Sequence, residues 1–150
     1  MDSKRFKKDL TQGNRCAFDS MMFVYVFEAN PAYFPLVQTA FSLLEEGKIE
    51  VITSIITPIE ILSNPALEKF PEKIKLYSNF FRVMKGLEVQ DLSWDLVDQS
   101  SYLRRTYNLR TPDAIQLATA IVSKAKIFVT NDESFRKIKD FPIIFLKDLL

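Results

Sequence analysis

Apolar residues along the chain alternate between short continuous runs and longer stripes with helical spacing. The short runs are rich in β-branched and aromatic residues and predict strands at 15–19, 49–53, 87–92, 126–130 and 142–146. The stripes predict helices at 20–28, 33–46, 68–85 and 93–107, with two more opening at 57–60 and near 111. Strands that alternate with helices indicate a parallel sheet covered on both faces, so the predicted fold class is α/β.

The segment 109–135, LRTPDAIQLATAIVSKAKIFVTNDESF, carries the clearest pattern. Thr111 is predicted to cap a helix whose first turn contains Pro112, which places Asp113 among free backbone N–H groups. The residues that follow are too apolar for a surface helix and predict a buried one. Asp132 comes directly after the next strand. Because ligands of open α/β sheets bind at the carboxyl ends of the strands, Asp113 and Asp132 are expected to meet at one site.

Composition restricts the classes of protein to which the chain can belong. Its 150 residues suit one domain, and a hydrophobic fraction of 47% with three glycines excludes a disordered or collagen-like chain. The 20 basic and 19 acidic residues nearly cancel, so bulk charge predicts neither a nucleic-acid nor an acidic partner. The single cysteine, Cys16, allows no internal disulfide and fits a reducing, cytoplasmic setting. No apolar run reaches the roughly 18 residues that a membrane helix needs, so no membrane partner is expected.

The N-terminal residues are strongly charged. They include Lys4, Arg5, Lys7 and Lys8 and are followed by no apolar stretch long enough for a signal peptide. Residues 1–14 are therefore expected to form a flexible arm ahead of a folded domain at 15–150. The basic side chains of the arm could contact a phosphate backbone, but charged ends of this kind are more often simply solvated.

Four carboxylates occupy equivalent places in the predicted fold. Asp19 ends the first strand, Glu60 lies in the first helical turn after the second, Asp113 opens a helix and Asp132 leaves the fourth strand. Each has a structural alternative: Thr57 and Glu60 have the spacing of a capping box, Asp113 would favour the helix dipole, and Asp132 would cap a short helix. Asp19 is the exception, because the end of an apolar strand is a costly place for an unpaired charge.

Four carboxylates facing one crevice repel one another unless a cation neutralises them. The chain has no histidine and no second cysteine, so hard oxygen ligands favour Mg²⁺ or Mn²⁺ over zinc. The missing histidine also excludes His-based catalytic triads and the paired-histidine route to RNA cleavage. A site made only of acids is typical of metal-assisted phosphoryl chemistry.

Four segments, AFDSMMFVYVFE, ITSIITPIEIL, LRTPDAIQLATAI and IFVTNDESFRKI, resemble the acidic motifs of PIN domains, in particular the VapC-type toxin ribonucleases. The resemblance implies a five-stranded parallel sheet in a three-layer α/β/α sandwich and metal-dependent endonucleolytic hydrolysis of single-stranded RNA. The catalytic and metal-binding residues that it implies are Asp19, Glu60, Asp113 and Asp132, which we call the acidic quartet. Ser20 and Thr130 match hydroxyl positions beside the first and last acids.

Two features depart from the family pattern. Such toxins generally begin almost at the first strand, whereas this chain has the additional residues 1–14. Ser134 occupies a place where many relatives have another acid or an amide. Occupancy by one metal at a time is therefore favoured over a permanent pair.

The partners expected from the sequence are an RNA substrate, an antitoxin protein and a second copy of the chain. A broad apolar stripe at helical spacing suggests a partner as well as a core contact, and the resemblance implies that this region forms a homodimer and accepts an antitoxin helix. The stripe comprises Phe70, Ile74, Tyr77, Phe81 and Met84, widened by Leu76, Phe80 and Val83. A basic rim for RNA would be formed by Arg104, Arg105, Arg110, Lys124 and Lys126, although ordinary solvated helix pairs explain the arginines equally well.

Two other interpretations stay open. The first is a PIN-like module that has lost cleavage and only binds RNA or protein. The second is a signalling receiver domain, which also has an acid-lined parallel sheet. A receiver would need an adjacent acidic pair after the first strand and a lysine after the last, and neither is convincingly placed here.

Overall fold

The computed structural model describes residues 1–150, and its strands and helices follow the predicted alternation. The strands are β1 (Arg15–Phe18), β2 (Glu50–Ser54), β3 (Leu87–Gln90), β4 (Ile127–Thr130) and β5 (Ile143–Phe145). The α-helices are α1 (Ser3–Gly13), α2 (Ser20–Phe27), α3 (Phe34–Glu45), α4 (Ile56–Leu62), α5 (Pro71–Val83), α6 (Trp94–Tyr107) and α7 (Thr111–Val122). Three short 3-10 helices cover Pro65–Lys69, Glu133–Phe135 and Leu146–Leu149.

The five strands form one parallel sheet in the order β3-β2-β1-β4-β5. The chain starts at the central strand β1, adds β2 and β3 on one side, and then crosses to add β4 and β5 on the other. Cys16 is accordingly in register with Val51 on one side and with Ile127 on the other. The crossover direction reverses at β1, and this reversal opens a crevice at the carboxyl end of β1, the usual ligand position in such sheets.

Alternate residues of the central strands enter two separate cores, as expected when both faces of a sheet are covered. Cys16 and Phe18 pack with α1, α2, α3 and α5 on one face. Ala17, between them, packs with α6 and α7 on the other. The three-layer α/β/α sandwich is therefore confirmed.

The structure corrects the expectation that residues 1–14 form a flexible arm. Ser3–Gly13 is helix α1, and its Phe6 and Leu10 are fully buried in the core shared with α3. These two residues lie four positions apart and so face the same side of the helix, while the lysines face solvent. The Asp2 backbone N–H also donates to the Leu149 carbonyl at 2.6 Å, which joins the two ends of the chain.

The segment predicted as one helix at 68–85 is divided in two. The 3-10 helix Pro65–Lys69 ends at Phe70, and α5 begins at Pro71. Proline is favoured at the first position of a helix and disfavours a helical residue before it, so Pro71 starts a new helix instead of continuing the old one. None of the helices combines the length and apolarity needed to cross a lipid bilayer.

Candidate active site

Asp19 lies at the carboxyl end of the central strand and is the N-cap of α2. Its Oδ1 accepts a hydrogen bond from the Ser20 backbone N–H at 2.8 Å, and its Oδ2 accepts one from the Thr130 hydroxyl at 2.7 Å. The Asp19 N–H donates to the Val129 carbonyl at 3.0 Å. With only 6% of the residue exposed, the carboxylate is fixed between β1 and β4.

The ionised form of Asp19 is poorly stabilised. Burial raises the pKa of Asp19 to about 6, and the hydrogen bonds from Thr130 and Ser20 oppose this rise only in part. Repulsion from Glu60 and Asp113 raises it further. No basic side chain forms a salt bridge with Asp19. A cation bound at this position would therefore stabilise the ionised carboxylate of Asp19 and, with it, the folded state.

Glu60 projects from α4 toward the same end of β1. The Ser20 hydroxyl donates to Glu60 Oε2 at 3.3 Å, so the hydroxyl that follows the first acid orients the second. Partial burial raises the pKa of Glu60, and repulsion from Asp113 acts in the same direction. The capping-box alternative for Thr57 and Glu60 is wrong, because α4 has Ile55 as its N-cap and no side-chain cap.

Thr57 is instead part of a buried hydrogen-bond chain behind the acids. The Thr53 hydroxyl donates to the Phe18 carbonyl at 2.8 Å, and its oxygen is 2.6 Å from the Thr57 hydroxyl oxygen. Since the Thr53 proton is already used, Thr57 donates to Thr53, and Gln116 Nε2 donates to Thr57 at 2.9 Å. The Gln116 amide also opposes the rise in the pKa of Glu60. The chain thus connects β1, β2, α4 and α7.

Sequence reasoning missed this role of Gln116. The residue is only 3% exposed and lies in the apolar stretch of α7, one turn after Asp113. A single amide within a buried apolar helix was the available signal, because a buried polar group requires partners.

Asp113 lies in the first turn of α7, as predicted, but Thr111 is not the cap. The N-cap is Arg110, whose side chain forms no cap hydrogen bond. Arg110 Nε instead donates to Asp113 Oδ2 at 3.1 Å. The Arg110 side chain is 77% exposed, whereas that of Asp113 is 13% exposed. Arg110 is therefore a cation at the mouth of the crevice, held by a carboxylate inside it.

Asp132 follows β4 and caps the 3-10 helix Glu133–Phe135. Its Oδ1 accepts from the Ser134 backbone N–H at 2.8 Å, which is the capping alternative expected from the sequence. The Asp132 N–H donates to the Thr130 hydroxyl at 3.1 Å, and the same hydroxyl donates to Asp19. Thr130 therefore links the first and last acids, in line with the hydroxyl role implied for it. The Ser134 hydroxyl is buried without a partner.

The structure brings the four acids to one edge of the sheet, but it does not bring their oxygens together. Asp19, Glu60 and Asp113 lie near enough for their charges to repel one another. The charge of Asp132 raises the pKa of Arg110, the cation that also pairs with Asp113. No group of three or more metal-ligating side chains is close enough to hold an ion as it stands. The donors fit a hard divalent cation in their chemistry, since all are carboxylate or hydroxyl oxygens and Asp19 lacks a counter-ion. Side-chain rotation would be needed to gather them.

The predicted partner stripe mostly faces inward. Phe81 is buried, and Tyr77, Phe80 and Met84 pack against the core. The large apolar side chains exposed here belong to Phe70, Leu76 and Val83. Among the predicted basic rim residues, only Arg110 forms a salt bridge with a quartet carboxylate, while Arg104 Nε donates to the Leu109 carbonyl.

The chain is similar to known proteins both in its sequence family and in its fold. The PIN domain family model matches residues 18–140. A toxin–antitoxin complex from Klebsiella pneumoniae contains a chain 20% identical to this one, with a TM-score of 0.64, and the match covers 87% of this chain and 97% of that chain. VapBC2 from Rickettsia felis, solved with a DNA fragment from its promoter, matches at 19% identity and a TM-score of 0.69, covering 87% and 98%. No curated protein sequence matches.

Proposed function

Because the chain belongs to the PIN domain family, we propose that it is a metal-dependent endoribonuclease that hydrolyses phosphodiester bonds of single-stranded RNA. The observation that carries the proposal is the acidic quartet at the carboxyl edge of the sheet, where Arg110 is the only basic residue that forms a salt bridge with any of the four carboxylates. Asp19 and Asp132 also cap helices, but these contacts leave most of the negative charge unbalanced. A hard cation is the partner that would balance it.

Asp19, Glu60, Asp113 and Asp132 would hold Mg²⁺ or Mn²⁺. The chemistry that such an ion supplies is activation of water and stabilisation of charge on the leaving oxygen. The contribution of the chain is to fix the ligands: Thr130 restrains one oxygen of Asp19, and the Ser20 hydroxyl restrains Glu60. Gln116 and the buried hydroxyls of Thr53 and Thr57 set the distance between α4 and α7.

We further propose that the protein is the toxin of a toxin–antitoxin pair and forms a homodimer. The two solved structures described above are toxin–antitoxin complexes, and their likeness to this chain motivates the search for such a partner. A cavity of about 270 Å³ opens beside Glu60 and is lined by Phe27, Phe70 and Tyr77. The exposed side chains of Leu76 and Val83 lie on the helix that borders it. A mixed apolar and acidic surface of this kind would suit an amphipathic helix of the partner.

A catalytically silent PIN-like binding module is the second candidate function. The observation in its favour is that no three metal-ligating side chains are gathered as they stand. The two candidates differ in one respect that can be measured directly, since only the nuclease changes the length of the RNA.

The decisive experiment is incubation of the purified protein with a mixed pool of single-stranded RNA in Mg²⁺, in Mn²⁺ or in EDTA. We expect shortened products with either metal and none in EDTA. Asp19→Asn should abolish the products, whereas Asp98→Asn, which removes an exposed acid of α6, should not. RNA that is retained on a filter but never shortened would favour the binding module. Cleavage that persists undiminished in folded Asp19→Asn would contradict the proposed role of Asp19.

A further inference from the structure

Arg110 is the only basic residue that forms a salt bridge with the acidic quartet, through its Nε and Asp113 Oδ2. Arg110 also interacts with acids that are distant in sequence. Asp113 raises the pKa of Arg110 most, and the charges of Asp132 and Glu60 raise it further. Three acids from three different segments of the chain therefore stabilise one positive charge. An ordinary surface pair within one helix turn would involve its own helix alone.

The ion pair also occupies a carboxylate that a metal would need. Asp113 Oδ2 accepts the guanidinium N–H at 3.1 Å, so this oxygen faces the mouth of the crevice. Asp19, in contrast, is held at the base of the crevice by Ser20 and Thr130. In this arrangement the acids do not gather into a set of three that could hold an ion.

We propose that Arg110 is a built-in counter-ion of the acidic site that competes with the divalent metal for Asp113. This inference rests on the proposed metal-dependent function. Without metal, the guanidinium partly neutralises the quartet and stabilises the fold. When metal binds, Asp113 must exchange the guanidinium for the ion. Arg110 therefore lowers the affinity for metal, and because its side chain already faces solvent, its release requires no rearrangement of the core.

The test is the dissociation constant of Mn²⁺, measured by isothermal titration calorimetry on the full chain. Arg110→Ala should bind Mn²⁺ about 2- to 5-fold more tightly than the wild type, the scale expected when one mostly exposed charge is removed. Arg110→Lys keeps the positive charge and should stay close to the wild type. The matched control is Arg105→Ala, which removes an exposed arginine of α6 that forms no salt bridge.

A second measurement uses no metal. In EDTA at low salt, Arg110→Ala should melt at a lower temperature than Arg105→Ala, because only Arg110 neutralises the quartet. Unchanged or weaker Mn²⁺ binding by Arg110→Ala would overturn the proposal, as would equal melting temperatures of the two variants in EDTA. If Arg110→Ala binds Mn²⁺ more tightly but the wild type cleaves no RNA, the nuclease function fails while the counter-ion role stands.

Discussion

Charged side chains are balanced differently at the two edges of the sheet. At the amino edge, Arg15 donates from Nη1 to Glu50 at 2.8 Å, from Nη2 to Glu88 at 3.3 Å and from Nε to the Ser123 carbonyl at 2.9 Å. One arginine thus faces two acids and a carbonyl, and it connects the first three strands with the end of α7. At the carboxyl edge, Asp113, Glu60 and Asp132 share Arg110, and Asp19 has no basic partner.

We interpret the difference as one between charge that stabilises the fold and charge that serves the proposed metal site. Charges at the amino edge are half-exposed and paired, so each is stable without any ligand. At the carboxyl edge, the most deeply buried acid, Asp19, has no salt bridge at all. An arrangement that lowers stability persists where binding or catalysis requires it. The comparison therefore predicts that removing Asp19 at the carboxyl edge raises metal-free stability and abolishes activity, whereas removing Arg15 at the amino edge lowers stability and leaves activity unchanged.

The largest effect is expected from Asp19→Asn on RNA cleavage. Losing one ligand from the centre of the quartet should lower the cleavage rate by about 1000-fold or more, which corresponds to about 4 kcal/mol of transition-state stabilisation. The rate should be measured with a single labelled RNA at saturating Mn²⁺. Asn keeps the volume and one carbonyl oxygen of Asp19, so an unfolded variant would be unexpected. A folded variant with a rate within tenfold of the wild type would remove Asp19 from the catalytic site.

The second effect concerns the pH dependence of stability without metal. The pKa of Asp19 is raised to about 6 in the folded protein, against an ordinary value of 3.8. The folded state therefore binds the proton more tightly, and stability falls as pH rises from about 4 to about 6. Above pH 6 the loss should total about 3 kcal/mol, because each unit of pKa shift is worth about 1.4 kcal/mol.

Thermal melts in EDTA across this range would measure the loss. Asp19→Asn should reduce the slope, with the remainder due to Glu60, so that the variant melts above the wild type at neutral pH and beside it at pH 4. Excess Mn²⁺ should restore the wild type at neutral pH by mass action and should stabilise the variant much less. Parallel curves for the two proteins would contradict the assignment of the unbalanced charge to Asp19.

Features of the fold and the site that depend on local sequence could be predicted, whereas contacts between residues distant in sequence could not. Strand and helix positions and the placement of the acids followed from local periodicity and from the geometry of parallel sheets. The contact between Gln116 and Thr57 joins residues 59 positions apart and has no local signature. Helix α1 was missed for another reason: its many charges outweighed Phe6 and Leu10, although two buried residues are enough to dock one short helix.

The third prediction concerns the hydrogen-bond chain behind the carboxyl edge. Gln116→Leu keeps the approximate volume but removes the donor to Thr57 and with it the hydrogen bond between α7 and α4. We expect a loss of about 1–2 kcal/mol in the free energy of unfolding, the usual cost of a buried hydrogen bond and its unpaired partner. Cleavage should fall about tenfold, because α4, which carries Glu60, would be held less precisely against α7. Urea denaturation and single-turnover cleavage would measure the two effects. Gln99→Leu on α6 is the matched control and should change neither.

The smallest effect is expected at the amino edge, from Arg15→Met. Methionine keeps the length of the apolar stem and removes the guanidinium, so the variant isolates the bonds to Glu50, Glu88 and Ser123. Since the acids are more than half exposed, the stability loss should be only about 1 kcal/mol. The loss should shrink in 1 M salt, because screening weakens exposed pairs. The Mn²⁺ dissociation constant and the cleavage rate should stay unchanged, since the substitution lies at the opposite end of β1 from Asp19. A change in metal affinity as large as that of Arg110→Ala would mean that charge acts across the whole sheet, and the contrast between the two edges would no longer identify the functional one.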